Sequence, residues 1–220
     1  MIPLNTGGIG SVAAIGAHCD DILIGAGATL MQIAQHNPGV VVHALVLTGA
    51  GTERETEEKF AFATLLPGAD IRLTVADLPD GRLPDHWGAV KQRVAAFRRE
   101  CEPDLVLGPQ RDDYHQDHRM LAELIPTEFR AHLLLGYEIL KWESDLPKPT
   151  LYVEVPGELA HEKTRLLEQS YPSQSERDWF DAEAFLGLMR VRGVQCRSRY
   201  AEAFVAEKAV ISPFGVHSLN

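Results

Sequence analysis

The run VVVHALVLT, residues 40–48, restricts the fold more than any other stretch of this chain. It is β-branched and apolar with almost no alternation, so it cannot turn one face to water. Such a run belongs in the middle of a parallel sheet covered by helices on both faces. A parallel neighbour requires a crossover, which is usually a helix. The flanking sequence supplies that rhythm. Residues 11–17 (SVAAIGA) form a short, small-residue apolar strand. Residues 22–37 carry apolar residues at helical spacing until Asn37-Pro38-Gly39 stops them. A helix over 53–66 ends at Pro67-Gly68, and DIRLTVAD (70–77) reads as a third strand. A helix with a basic face runs over 86–101, and PDLVLGP (103–109) is a fourth strand. A polar loop, QRDDYHQDHR, follows, and then a helix from about Met120. The alternation predicts a doubly wound α/β fold, a mostly parallel sheet with helices on both faces. Residues 136–220 mix short strands such as TLYVEV with helical stretches. They are expected to complete one domain, 1–220, by covering one end of the sheet.

The charge balance narrows the partners. The formal net charge of -10 repels phosphate backbones and anionic lipid surfaces, which argues against nucleic acid and membranes. The three cysteines are widely spaced with no CxxC pair, so neither a disulfide framework nor a thiolate zinc site is indicated. No signal-peptide pattern and no apolar run of about 18 residues is present, and the expected setting is the cytoplasm.

In an open α/β sheet, ligands bind beyond the carboxyl ends of the strands. Two polar clusters fall there: His18, Asp20 and Asp21 after the first strand, and His115, Asp117 and His118 after the fourth. Imidazole with carboxylate is a zinc-type donor set, and a catalytic zinc takes three protein ligands and leaves one position open. His18 and Asp21 have a spacing that lets both reach one ion from a tight turn. One histidine of the second cluster would complete the set. A further carboxylate can then act as general base, and a further imidazole can stabilise an oxyanion and protonate a leaving group. Each spacing alone is weak evidence; the competing reading of an aspartate at this place is a cap on the following helix. The joint placement after two strands is more specific.

These residues carry a family resemblance. AHCDDILIGAGAT resembles the AHPDDE-x-LG-x-GGT signature of the LmbE/PIG-L de-N-acetylases, and DYHQDHR resembles their D-x-H-x-D-H motif. TERETEEKFAFATLL, EPDLVLGP and YAEAF are similar to further family elements, in the right order, from residue 11 to about 205. The resemblance implies a Rossmann-like zinc hydrolase that removes acetyl or related acyl groups from N-acetylglucosamine-type sugars through a water held at the zinc. It implies one zinc per chain, with His18, Asp21 and His118 as ligands. Asp20 would be the general base, His115 would polarise the amide oxygen or act as general acid, and Asp117 would orient His115. Arg54 matches an arginine that contacts the sugar. Arg119 and Glu202 match positions without an assigned role. Relatives form trimers or hexamers, so a homo-oligomer is implied. The chain departs from the pattern at Cys19 (for Pro), Ile22 (for Glu) and Ala28 (for Gly), none of which removes a ligand.

Cys19 could ligate zinc as thiolate, but its neighbours already point from the same turn, and a small buried side chain is expected. Tyr137, Trp142 and Glu143 are expected in a Pro-bounded loop where aromatics could stack on a sugar face or serve as packing anchors. Residues 174–193 read as an amphipathic helix whose Phe180, Phe185, Leu188 and Met189 face the core or a subunit interface. Two other readings compete: an amidase acting on a larger conjugate, and a non-hydrolytic Rossmann-like module holding a sugar or nucleotide, which Gly25-x-Gly27 supports weakly.

Overall fold

The computed structural model describes residues 7–210. The elements are β1 (Ser11–Gly16), α1 (Asp21–His36), β2 (Val41–Thr48), α2 (Glu53–Leu65), β3 (Asp70–Leu78), α3 (Trp87–Glu100), β4 (Leu105–Pro109) and α4 (Gln116–Glu128), then β5 (Leu133–Tyr137), β6 (Leu151–Val155), α5 (Gly157–Ser170), α6 (Ala182–Cys196) and β7 (Tyr200–Ala206). The seven strands form one sheet in the order β3-β2-β1-β4-β5-β7-β6. Strands β1 to β5 are parallel, and β7 runs antiparallel to both β5 and β6.

The predicted two-faced burial is present. Along β1, Val12 and Ala14 join the core under α1, α2, α5 and α6, while Ala13 and Ile15 join a second core under α3 and α4. All four are fully buried, as the central strand of a doubly covered sheet requires. The chain leaves β1 toward β2 on one side, and β4 lies on the other. The strand order therefore reverses between β1 and β4, which opens a crevice at their carboxyl ends.

Four expectations change. Residues 136–206 do not cover an end of the sheet. They lengthen it by β6 and β7 and add α5 and α6 to the layer that holds α1 and α2. Helix α4 starts at Gln116, so the end of the stretch read as a loop is its first turn. Its polar residues carry no apolar periodicity, and the turn forms because the His115 side chain accepts from the Asp117 backbone N–H as an N-cap. Helix α6 begins at Ala182 after the Asp181 cap, which leaves Trp179 and Phe180 in the preceding irregular segment. Tyr137 likewise is no loop residue. It ends β5, donates from its hydroxyl to the Ile15 carbonyl at 2.8 Å, and lies buried against Gly25. A Cβ at residue 25 would sit 2.4–2.9 Å from the Tyr137 side chain, so only glycine lets α1 lie this close to the sheet.

The last strand is fastened to the first helix by buried charge. Glu202 on β7 accepts from the Ala28 and Thr29 backbone N–H groups at 2.8 and 2.7 Å and pairs with Lys163 of α5 at 2.6 Å. Lys163 also donates to the Ile24 carbonyl at 2.7 Å. Glu202, which sequence left without a role, is a structural fastener.

Candidate metal centre

The crevice brings the two sequence clusters together. Asp21 opens α1, and its Oδ2 accepts from the Ala17 and His18 backbone N–H groups at 2.9 Å each, which ties the carboxylate to the turn before its own helix. His18 Nδ1 lies 3.5 Å from that oxygen. Across the crevice, the first turn of α4 presents His118, whose Nε2 is 3.2 Å from Asp21 Oδ2 and 3.2 Å from His18 Nδ1. Three donor atoms thus form a triangle with edges of 3.2, 3.2 and 3.5 Å. A tetrahedral ion with N and O ligands at 2.0–2.1 Å has ligand–ligand edges of about 3.3 Å.

The partners of the outward-facing ring nitrogens suit this triangle to a cation. His118 Nδ1 meets Asp113 Oδ2 at 2.9 Å, and His18 Nε2 meets Asp117 Oδ2 at 3.2 Å and Asp80 Oδ1 at 3.1 Å. A ring proton on each of those nitrogens satisfies the carboxylates and leaves a lone pair on His18 Nδ1 and on His118 Nε2, both aimed at Asp21. Two lone pairs and a carboxylate in mutual contact repel unless a positive charge sits among them. The same contacts shift the ionisation of all three groups. Burial opposes charge on His118, yet Asp21 and Asp113 push it up to about 9, and His18 is likewise raised by Asp21 and Asp117 against its burial. Burial alone would raise Asp21, but His118 and His18 hold it well below the usual carboxylate range. The donor chemistry and the spacing fit a zinc-type ion held by His18, Asp21 and His118, with Asp113 and Asp117 fixing the two rings from behind.

His115 lies beside this centre, its ring 4.8 Å from those of His18 and His118, and the three imidazoles also offer nitrogens within 4.8 Å of one another. Its Nδ1 accepts from the Asp117 backbone N–H at 3.3 Å, so the neutral ring carries its proton on Nε2. Burial, helped by the two neighbouring imidazoles, lowers its pKa. The Asp117 side chain differs from its expected part. Its carboxylate accepts from the Gly81 and Leu83 backbone N–H groups at 2.8 and 3.0 Å and contacts His18, so it reaches His115 only through its backbone.

Asp20 occupies an unusual backbone position. It stands at the N-cap of α1 with φ 108° and ψ -30°, and its side chain makes no cap hydrogen bond. For a residue with a Cβ this conformation costs about 1–3 kcal/mol. It turns the carboxylate away from the helix and toward Arg54, whose Nη2 donates to Asp20 Oδ2 at 2.6 Å and to the Cys19 carbonyl. Arg54 also pairs with Glu57 at 2.7 Å and donates to Ser173 Oγ at 3.1 Å. The guanidinium expected to meet a sugar is therefore engaged with Asp20 and Glu57, with its side chain 21% exposed. Burial pushes Asp20 up to about 7 against the pull of Arg54.

Behind Asp20 sits a carboxylate that sequence reading did not single out. Glu58 is fully buried, and its Oε2 accepts from the Asp20 backbone N–H at 2.9 Å and from the Tyr171 hydroxyl at 2.5 Å. Cys19 is 2% exposed, and its Sγ faces the Thr48 carbonyl at 3.6 Å. Burial raises its thiol far above the ordinary value, so it is a packed thiol facing β2.

Two loops border the crevice. Lys141 contacts Asp113 Oδ1 at 3.0 Å and Asp145 at 2.6 Å, which links the loop after β5 to the residue behind His118. The next residue, Trp142, is 63% exposed and donates from its indole nitrogen to Asp178 at 2.6 Å. The Arg177 guanidinium lies over its ring, and Trp179 meets it edge-on at 6.1 Å. Arg119 donates to the Asp113 carbonyl at 3.0 Å and to the Tyr114 carbonyl, closing the loop before α4.

Residues 13–127 match the PIG-L family model, described as GlcNAc-PI de-N-acetylase. The uncharacterized deacetylase YaiS of Escherichia coli (strain K12) is 31% identical over 147 residues, which cover 62% of this chain and 78% of that protein. Among solved structures, the conserved protein TT1542 from Thermus thermophilus superposes with a TM-score of 0.70 at 22% identity, covering 94% of this chain and 99% of that one. The N,N'-diacetylchitobiose deacetylase from Pyrococcus horikoshii has a TM-score of 0.68 at 20% identity, covering 94% and 88%. These two structures establish the shared fold.

Proposed function

The chain belongs to the PIG-L family, and from that premise we propose that it is a zinc-dependent hydrolase that removes the N-acetyl group of an N-acetylglucosamine-type sugar or sugar conjugate. The observation that carries this reading is the triangle of His18 Nδ1, Asp21 Oδ2 and His118 Nε2, three donors at the spacing a zinc-type ion takes.

When bound to these ligands, zinc supplies Lewis acidity, which polarises an amide carbonyl and lowers the pKa of water. The chain's own groups supply the rest. Asp20 accepts the proton of the attacking water at its carboxylate and delivers it to the amide nitrogen as the C–N bond breaks, which releases the amine and acetate. Its pKa of about 7 suits a base working near neutrality, and Arg54 fixes the carboxylate's direction through Oδ2. His115 is neutral at that pH, because burial lowers its pKa, and its Nε2–H donates a hydrogen bond to the oxygen on which negative charge develops. A neutral donor is a better partner for that oxygen than a group that must first be protonated. Among its two expected parts, polarising the amide oxygen therefore fits His115 better. Asp113 and Asp117 keep the ligand rings in the tautomers that face the metal.

No helix of the described residues is long and apolar enough to cross a membrane. The net charge of -10 favours a small-molecule substrate over a nucleic acid. A cytoplasmic setting and a trimeric or hexameric assembly belong to the same proposal. The test is release of acetate and primary amine across a panel of N-acetylhexosamine compounds, free, nucleotide-linked and inositol-linked, against longer-chain amides. Acetate release from the sugars supports the reading. Turnover confined to the long-chain amides would favour the amidase instead.

A further inference from the structure

We propose that Glu58, together with Tyr171, is a positioning residue that holds the Asp20 backbone in its positive-φ conformation and so aims the Asp20 carboxylate into the crevice. The proposal rests on the reading of Asp20 as the base, while its structural half stands without it.

Three observations converge. First, an aspartate at a helix N-cap ordinarily takes an extended backbone and lends its carboxylate to the first free N–H groups. Asp20 does neither: φ is 108°, and no side-chain cap bond forms. The local sequence alone would fold Asp20 back onto α1, so something outside the turn over-determines it. Second, the rotated Asp20 peptide presents its N–H to the protein interior, where a buried donor needs an acceptor. Glu58 Oε2 supplies one at 2.9 Å, from a residue of α2 with no exposed surface. Third, a carboxylate at that depth is a costly way to fill space. Its Oε1 has no hydrogen-bond partner among the described residues, although a leucine would pack there without an orphaned atom. The carboxylate is explained by the two hydrogen bonds on Oε2. The Tyr171 hydroxyl, 2.5 Å from that oxygen, fixes where it stands. Tyr171 is itself fully buried and follows α5, so the strained turn after β1 is braced from two other helices of the same layer.

Glu58 touches no metal ligand side chain in the contacts of the centre, so its removal should leave the ligand triangle intact. Glu58→Leu keeps the volume and removes the acceptor. Glu58→Gln keeps an oxygen that can accept from both Asp20 and Tyr171. The expected result is that Glu58→Leu lowers kcat about a hundredfold with KM and zinc content unchanged, while Glu58→Gln recovers to within about threefold of wild type. Tyr171→Phe removes one brace, leaves the packed ring in place, and should give an intermediate loss in kcat. If Glu58→Leu, or Tyr171→Phe where the leucine variant fails to fold, retains wild-type kcat, the proposal is overturned. A crystal structure of the same variant gives a readout independent of turnover. Loss of the positive φ at residue 20, or displacement of its carboxylate from Arg54, supports the proposal even if no acetylated sugar is a substrate. An unchanged Asp20 conformation without the Glu58 acceptor overturns it.

Discussion

Asp113 shows how a residue's part depends on a partner that sequence does not display. It lies within the D-x-H-x-D-H resemblance, yet its contact with His118 Nδ1 at 2.9 Å exists only because α4 begins at Gln116 and swings His118 back over the preceding loop. His18, Asp21 and one histidine of the second cluster were legible as a donor set because imidazole and carboxylate at two strand ends are chemically expensive, and the family resemblance pointed to His118. Asp113, Glu58 and the engagement of Arg54 were not, since each is defined by what lies opposite. Replacing Asp113 by Asn should weaken metal binding about 10–100-fold, because the amide orients the ring poorly and lowers its basicity. Zinc affinity measured by competition with a chelator checks this, and an affinity equal to wild type would show that Asp113 serves the loop rather than His118.

At the scale of elements, the first four strands and the first three helices were readable, and the starts of α4 and α6 were not. Val41–Thr48 emerges as the buried β2 it had to be, since no other element accommodates so continuous a β-branched run. The first turn of α4 was hidden because its residues are polar, and an N-cap histidine leaves no apolar signal. Tyr137 was misplaced in a loop because the residues after it are turn-like, whereas the glycine that receives its ring lies far away on α1. That packing gives a sharp prediction. Gly25→Ala places a Cβ inside the Tyr137 ring contact and should cost about 1–3 kcal/mol of stability through overpacking. Urea denaturation measures it. A stabilised variant would mean that α1 is free to move off the sheet.

At the scale of the whole molecule, the alternation of strand and helix specified β1 to β4, and the structure adds β5 to the parallel set and places the crevice between β1 and β4. It did not specify how the remaining chain returns, because β6 and β7 are antiparallel strands of ordinary composition. The return is secured by Glu202, which joins β7 to α1 and to Lys163 of α5 in a buried pair. Truncating one partner of such a pair leaves an uncompensated charge, so Glu202→Ala should cost about 3–5 kcal/mol. Thermal unfolding checks it, and a loss of less than about 1 kcal/mol would place the fastening elsewhere.

The account stands most directly on Asp20, the carboxylate set beside the ligands but assigned to the proton rather than the metal. Asp20→Asn preserves size and the ligand triangle and removes the base. Zinc content and acetate release, measured side by side on wild type and this variant, decide the matter. The account predicts one zinc per chain in both proteins and nearly complete loss of turnover in the variant alone. An Asp20→Asn enzyme that still releases acetate at the wild-type rate, or a wild type that releases acetate with no zinc bound, would contradict it.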